Sequence, residues 1–215
     1  MESPQPPSRT HPEDGRRLRG KRSRVRIRAA ARELFREKGF DGTTLRAIAE
    51  RAGMGASSIY RHVETKQELL ILELADLQEE AWTRFRLGDD RSAPTRDRVH
   101  RFFETQHALL ASDADLTVIA LRATTYPDAP VARRVLALQD RTIGLLAEIL
   151  QAGRRRDLAT DIDVLAAARA LFHITTGARI SWANGLASES ACRRSIAASV
   201  DLLFRGLSGP QGEGA

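Results

Sequence analysis

The stretch from Thr43 to Leu70, TTLRAIAERAGMGASSIYRHVETKQELL, decides the fold. Leu45, Ile48, Ala49 and Ala52 recur at helical spacing and form one apolar stripe, with Thr43 or Thr44 placed to cap the start of that helix. Gly53 supplies a residue that tolerates the left-handed conformation of a helix end, Met54 can then turn inward, and Gly55 and Ala56 open the next helix. Two helices joined by so short a turn meet at a steep angle. In the second, read as Ala56 to His62, Ile59 and Val63 share the inner face, which leaves Ser57, Ser58, Arg61 and His62 outside. Thr65 and Glu68 have the spacing of a capping box. A third helix therefore starts there, with Lys66 in its first turn, where backbone N–H groups favour an anion such as phosphate.

The charge distribution points the same way. The 215-residue chain carries a formal net charge of +6. Between Arg16 and Lys66 there are 15 Lys or Arg against 5 Asp or Glu, a net of +10, so the remaining residues hold −4. A positive field confined to the first third argues for a polyanion met on one face, and a merely Arg-rich composition does not explain the asymmetry.

At these residues the sequence resembles the TetR family of dimeric bacterial transcriptional regulators. That pattern runs roughly Thr-x-x-x-Ile-Ala-x-x-Ala-Gly-(apolar)-Ser-x-x-(small)-(aliphatic)-Tyr-x-His-Phe-x-x-Lys-x-x-Leu. Thr44, Ile48, Ala49, Ala52, Gly53, Met54, Ser58, Ile59, Tyr60, His62, Lys66 and Leu69 fall into register. Gly55 stands where the family usually has a capping Ser, and Val63 where it usually has Phe. Glycine is an adequate N-cap and Val is still apolar, so neither departure disturbs the fold, although Gly55 removes one hydroxyl from the phosphate side. The resemblance is specific over about residues 23 to 72 and general beyond them.

That resemblance implies an all-α, dimeric protein in which the second helix of the motif enters the major groove of double-stranded DNA. It assigns base-edge contacts to Ala56, Ser57 and Arg61, and backbone contacts to Thr44, Ser58, Tyr60, His62 and Lys66. Physically, Arg61 can pair with the two acceptors of a guanine and the small residues can approach a thymine methyl. Hydroxyls and Lys66 would set register on phosphates. Arg46, on the outer side of the preceding helix, is a further phosphate candidate. The bland reading of each is an ordinary exposed polar residue.

Around the motif, residues 1–20 are rich in Pro, Ser, Gly and charge and read as a disordered basic arm. It either lies along DNA or serves only as a solvated tail. A first helix from Ser23 to Lys38 buries Ile27, Ala30, Ala31, Leu34 and Phe35, with Gly39 as its stop, and completes a head over residues 21–70. The fourth helix continues through Leu74, Trp82 and Phe85 to Gly88, linking the head to a ligand-binding and dimerisation body over residues 71–207. The body's further helices are read as Thr95 to Ala111, Ala114 to Thr124, Ala129 to Arg154, Ile162 to Asn184 and Ser188 to Leu207. About nine helices result, with a flexible tail at 208–215 and neither a strand signal nor an internal repeat.

In the family the body houses an apolar pocket for a small-molecule effector, and the short sixth helix relays its occupancy to the fourth. Candidate pocket residues are Phe103, His107, Arg122, Tyr126, Phe172, His173 and Trp182; the plain alternative is that aromatic stripes at helical spacing are core. Thr176 and Gly177, a mid-helix glycine that suits close helix approach, join Ile196, Val200, Leu203 and Phe204 as candidates for half of a four-helix homodimer seam. The competing reading is an intramolecular contact. The expected action is repression from a palindromic operator, relieved by ligand. An architectural DNA binder without ligand control is the alternative.

Other classes find little support. Cys192 is the single cysteine, and histidines 11, 62, 100, 107 and 173 show no metal spacing, so no cofactor or metal is called for. No phosphate loop or nucleophile motif suggests an enzyme. Without an apolar leader or an 18-residue uncharged apolar run, a cytoplasmic protein free of membrane is expected.

Overall fold

The computed structural model describes residues 12–207 as nine α-helices: α1 (Pro12–Lys38), α2 (Leu45–Arg51), α3 (Ala56–Ile59), α4 (Lys66–Gly88), α5 (Thr95–Ala111), α6 (Ala114–Thr125), α7 (Ala129–Gly153), α8 (Val164–Ala183) and α9 (Glu189–Leu207). The chain divides after Lys66 into two compact units, a head and a body. The sequence reading had carried the head to residue 70.

In the head, Ile27, Ala30, Ala31, Leu34 and Phe35 of α1 are buried, as their spacing predicts, together with Ile48, Ala49 and Ala52 of α2 and Ile59 of α3. The join between α1 and α2 is made by hydrogen bonds. Thr43 Oγ1 lies 2.7 Å from the Gly39 carbonyl and 3.1 Å from that of Leu34, where it donates to the otherwise orphaned end of α1. Gly42 is required by close approach, since a Cβ there would sit 2.4 Å from the Lys38 carbonyl oxygen. Thr44 caps α2 by accepting from the Ala47 N–H at 3.1 Å. At the other end Gly53 takes φ +65°, with Met54 N–H on the Ala49 carbonyl and Gly53 N–H on that of Glu50, the double bond of a Schellman motif. Arg51 then forks onto Glu33 and Glu37 and pins α2 to α1.

Two boundaries differ from the sequence reading. The first helix begins at Pro12 rather than Ser23, so part of the expected disordered arm is helical; residues 1–11 and the tail 208–215 lie outside the described residues. Pro12 followed by Glu13 and Asp14 is a helix-start signature in the sequence, and it outweighs the composition argument. The second difference is in α3, whose α-helical part is the single turn Ala56–Ile59. The chain continues with His62 N–H bonded to the Ile59 carbonyl at 2.8 Å.

The body is a bundle in which α8 packs on α6, α7 and α9, while α5 packs on α6, α7 and α9. Phe102, Phe103, Leu110 and Leu146 are among its largest fully buried side chains. Asp157, in the α7–α8 connection, caps α5 by accepting from Thr95 N–H and Oγ1, both at 2.6 Å. A buried bidentate pair, Arg98 to Asp89 at 2.7 Å and 2.9 Å, ties the α4–α5 loop to α5. Gln67 of α4 is fully engaged. Its amide donates to the carbonyls of Ala123 and Tyr126, and its Oε1 accepts from the Asp128 N–H. Among the described residues no helix is long and apolar enough to cross a membrane.

Candidate nucleic-acid interface and effector cavity

The nucleic-acid candidates divide by what their side chains already touch. Buried Ile59 and Val63 hold the α3 segment to the head, which turns Ala56, Ser57, Tyr60 and Arg61 out to solvent; Tyr60 is 61% exposed. Arg61 Nη2 donates to Ser58 Oγ at 3.1 Å, a contact that pre-orients the guanidinium and leaves its other N–H groups able to meet a base or phosphate. Ser58 and His62 are half-buried beside it, and Arg46 is exposed on α2. Thr44 is exposed as well. Its oxygen accepts the helix cap, and its O–H remains available as a donor.

Lys66 departs from the expectation. Its ammonium lies 2.7 Å from the Phe40 carbonyl, 3.1 Å from that of Thr43 and 3.4 Å from that of Asp41, and 4.3 Å from the centre of the Phe40 ring. Three carbonyls and a ring face saturate the cation, so in this structure Lys66 fastens the α1–α2 loop rather than presenting a free charge. The motif spacing that marks Lys66 cannot reveal those partners, because the carbonyls lie more than twenty residues away.

In the body, α4, α6, α7 and α8 wall a cavity of 40 Å³. Leu74, Leu121, Val135 and Phe172 meet Gln78, Thr124, Thr176 and Arg179 there. Of the expected pocket residues only Phe172 lines it. Phe103 and His107 line a separate 180 Å³ depression between α5 and α9, with His100, Arg193 and Ile196. Trp182 is buried with its ring 5.4 Å from that of His107. Arg122 is exposed and donates through Nε to the Ala183 carbonyl at 2.6 Å, closing the end of α8. Tyr126 is 86% exposed, because the α6–α7 turn leads it away from the core, and His173 faces solvent on α8.

The sequence reading missed the apolar wall residues Leu74, Leu121 and Val135 and, with them, the polar Gln78, Thr124 and Arg179. Arg179 is 4% exposed, and its Nε and Nη2 meet no hydrogen-bond partner among the described residues. Burial pushes its pKa down to about 10, so it stays charged at neutral pH. A signal was available, since Phe172, Thr175, Arg179 and Trp182 succeed one another at intervals of three or four and put one arginine on an otherwise buried stripe. Nearby, His107 Nε2 meets Glu189 Oε1 at 2.9 Å; burial lowers the imidazole pKa despite this carboxylate.

The dimer candidates are also redistributed. Ile196, Val200 and Phe204 are buried inside the chain itself, where α9 packs on α5 and α8. They follow the apolar stripe of an amphipathic helix, which in α9 faces inward. Thr176 belongs to the cavity wall, Leu203 is half-buried, and Gly177 is exposed with nothing near its missing Cβ.

Comparison with known proteins places the head. Residues 27–72 match the model of the bacterial regulatory proteins, tetR family. The head carries the DNA-binding domain of the TetR family. Over 184 residues it is 26% identical to the HTH-type transcriptional repressor KstR of Rhodococcus jostii, spanning 86% of this chain and 84% of that protein. Over 64 residues it is 36% identical to the HTH-type transcriptional regulator UidR of Escherichia coli K12, covering 30% of this chain and 33% of that one. The fold of the chain is similar to that of Thermus thermophilus FadR, a TetR-family transcriptional repressor solved with lauroyl-CoA. The TM-score is 0.69 at 24% identity, over 89% of this chain and 98% of FadR. The chain is thus a DNA-binding transcriptional regulator with an all-helical fold.

Proposed function

We propose that the protein is a homodimeric repressor that occupies a two-fold symmetric operator and leaves it when a small molecule enters the body. Ala56, Ser57 and Arg61 read base edges; Thr44, Arg46, Ser58, Tyr60 and His62 meet phosphates. The observation that carries the ligand reading is the α4–α6–α7–α8 cavity, whose wall includes Leu74 and Gln78 of the same helix that begins at Lys66. Occupancy there acts on α4 directly. It also acts through α6, whose Ala123 carbonyl accepts from the Gln67 amide of α4, while the oxygen of that amide accepts from Asp128 at the start of α7. The lauroyl-CoA held by Thermus thermophilus FadR supports an effector with an apolar tail.

For release, the effector must prefer the non-DNA state; a hundred-fold preference corresponds to roughly 2.7 kcal/mol of coupling. The dimer seam is better sought at exposed Ile174 and Gly177 of α8 and Leu202 of α9 than at the buried α9 residues. The test is selection of bound sites from random duplex DNA by the full-length chain at about 0.15 M salt, where non-specific complexes fade. A two-fold symmetric motif, bound by two chains per duplex, is expected. A motif without symmetry, or no enrichment, contradicts the proposal.

A further inference from the structure

The effector cavity contains a charge that the protein leaves unanswered. Arg179 walls it, is almost completely buried, and offers Nε and Nη2 to no acceptor among the described residues. An isolated buried cation is costly, and proteins ordinarily pair or hydrogen-bond it. Glu189, which reaches the neighbouring His107, is engaged there and nearly half exposed. The Phe103 ring, 5.8 Å from the guanidinium carbon, offers a quadrupole and no oxygen, and the nearby Cys192 and His107 side chains make no hydrogen bond to the Arg179 Nε or Nη2. Gln106 is buried with both amide atoms unpartnered, and Thr117 Oγ1 is likewise unpartnered. The body core therefore holds several polar groups that the fold itself does not use.

Leu74, Leu110, Leu121, Val135 and Phe172 face the same space, beside the neutral polar side chains of Gln78, Thr124, Gln139 and Thr176. A planar fork of donors beside a cluster of apolar side chains recognises a planar anion joined to a hydrocarbon. We propose that the effector is an amphipathic carboxylate whose head group pairs with Arg179 and whose tail lies among those apolar residues. This rests on the reading of the protein as ligand-controlled and names the class of ligand. At 40 Å³ the cavity admits a group little larger than water. The head fits, and the tail must displace side chains of α4 and α6. Such displacement is the differential interaction that an effector needs in order to favour one state.

The test uses the full-length chain, without DNA, and follows the fluorescence of its two tryptophans, Trp82 and Trp182, on titration with octanoate, octan-1-ol and octanoyl-CoA. Saturable binding of octanoate is expected, about 30-fold tighter than octan-1-ol, the scale of a charge-assisted pair. Arg179→Met should weaken octanoate by about the same factor and leave octan-1-ol unchanged, whereas Arg179→Lys, which keeps the charge, should retain part of the preference. Should the Met variant fail to fold, the wild-type acid-to-alcohol ratio and the Lys variant decide. Equal binding of acid and alcohol, absence of saturable octanoate binding, an unchanged octanoate affinity in a folded Arg179→Met, or tighter binding of octanoyl-CoA than octanoate would each overturn the assignment. Because no DNA is present, such a failure is separate from any failure of ligand-controlled release.

Discussion

The joints of the head and one part of the body core treat their polar groups in opposite ways. Elsewhere the body bonds its buried groups too, as Arg98 does with Asp89. In the head, Thr43 and Lys66 reach backbone carbonyls and Arg51 reaches two glutamates, so each cation or hydroxyl stitches one helix or loop to the next. In the body core, Arg179, Gln106, Thr117 and the Nδ1 of His107 have polar atoms with no hydrogen-bond partner among the described residues. A small unit that must present Arg61 in one geometry gains from fully bonded joints, whereas a unit that must accept a guest gains from bonds left unmade. The contrast is between a tool that is finished and a receptor that is completed by its ligand.

The comparison can be broken in several places. The largest effect is expected from Gly42→Ala, where a methyl would meet the Lys38 carbonyl at 2.4 Å; a loss of about 3 kcal/mol, seen by hydrogen exchange in α1 and α2, follows from forcing that joint apart. An unchanged exchange pattern would mean that the joint is loose. Arg61→Ala should cost about 2 kcal/mol on a selected site and relax preference at one base pair, measured on duplexes that vary that pair. Uniform weakening of all duplexes would make Arg61 a phosphate contact instead.

Lys66→Met separates the two uses of a cation. About 1 to 2 kcal/mol of head stability should be lost, because three carbonyls lose their donor, while the salt dependence of DNA binding is retained. A salt slope lowered by about one with stability unchanged would restore Lys66 to the phosphate surface. Arg179→Met should move the other way and raise stability in urea unfolding by about 1 kcal/mol, since it removes an uncompensated buried charge. A loss would show that the guanidinium is already paired.

The smallest effect concerns pH. His107 has its pKa lowered in the fold, chiefly by burial, so its contribution to stability is intact above the unfolded value near about 6.5 and declines as pH falls below it. The difference between wild type and His107→Gln should therefore narrow by less than about 1 kcal/mol on going from pH 7.5 to 5.5. A difference that widens on acidification would mean that the Glu189 contact outweighs burial.

Legibility in the sequence follows the same divide. The helix-turn-helix was readable because its determinants are local: Thr44 and Gly53 act within five residues of themselves, Ile48, Ala49 and Ala52 follow one helical period, and Ile59 and Val63 follow another. Lys66 misled because its partners lie more than twenty residues back, although its place at the start of α4 was plain. In the body, helix spans were readable from periodicity to within a residue or two, whereas the choice among apolar faces was not. Ile196, Val200 and Phe204 form a stripe that fits a partner chain or the chain's own α5 and α8, and only tertiary packing decides. Aromatic residues drew attention to Tyr126 and His173, which face solvent; the arginine on the inner stripe of α8 was the more informative oddity.

The measurement that joins the two halves most directly is release of DNA. The full-length chain would be bound to a selected two-fold symmetric duplex and titrated with octanoate, in wild type and in Arg179→Met, with fluorescence anisotropy of the duplex as the readout. The account predicts that octanoate dissociates the wild-type complex and leaves the Arg179→Met complex intact at the same concentrations. Equal release from both, or a wild-type complex that stays intact while octanoate occupies the body, would contradict it.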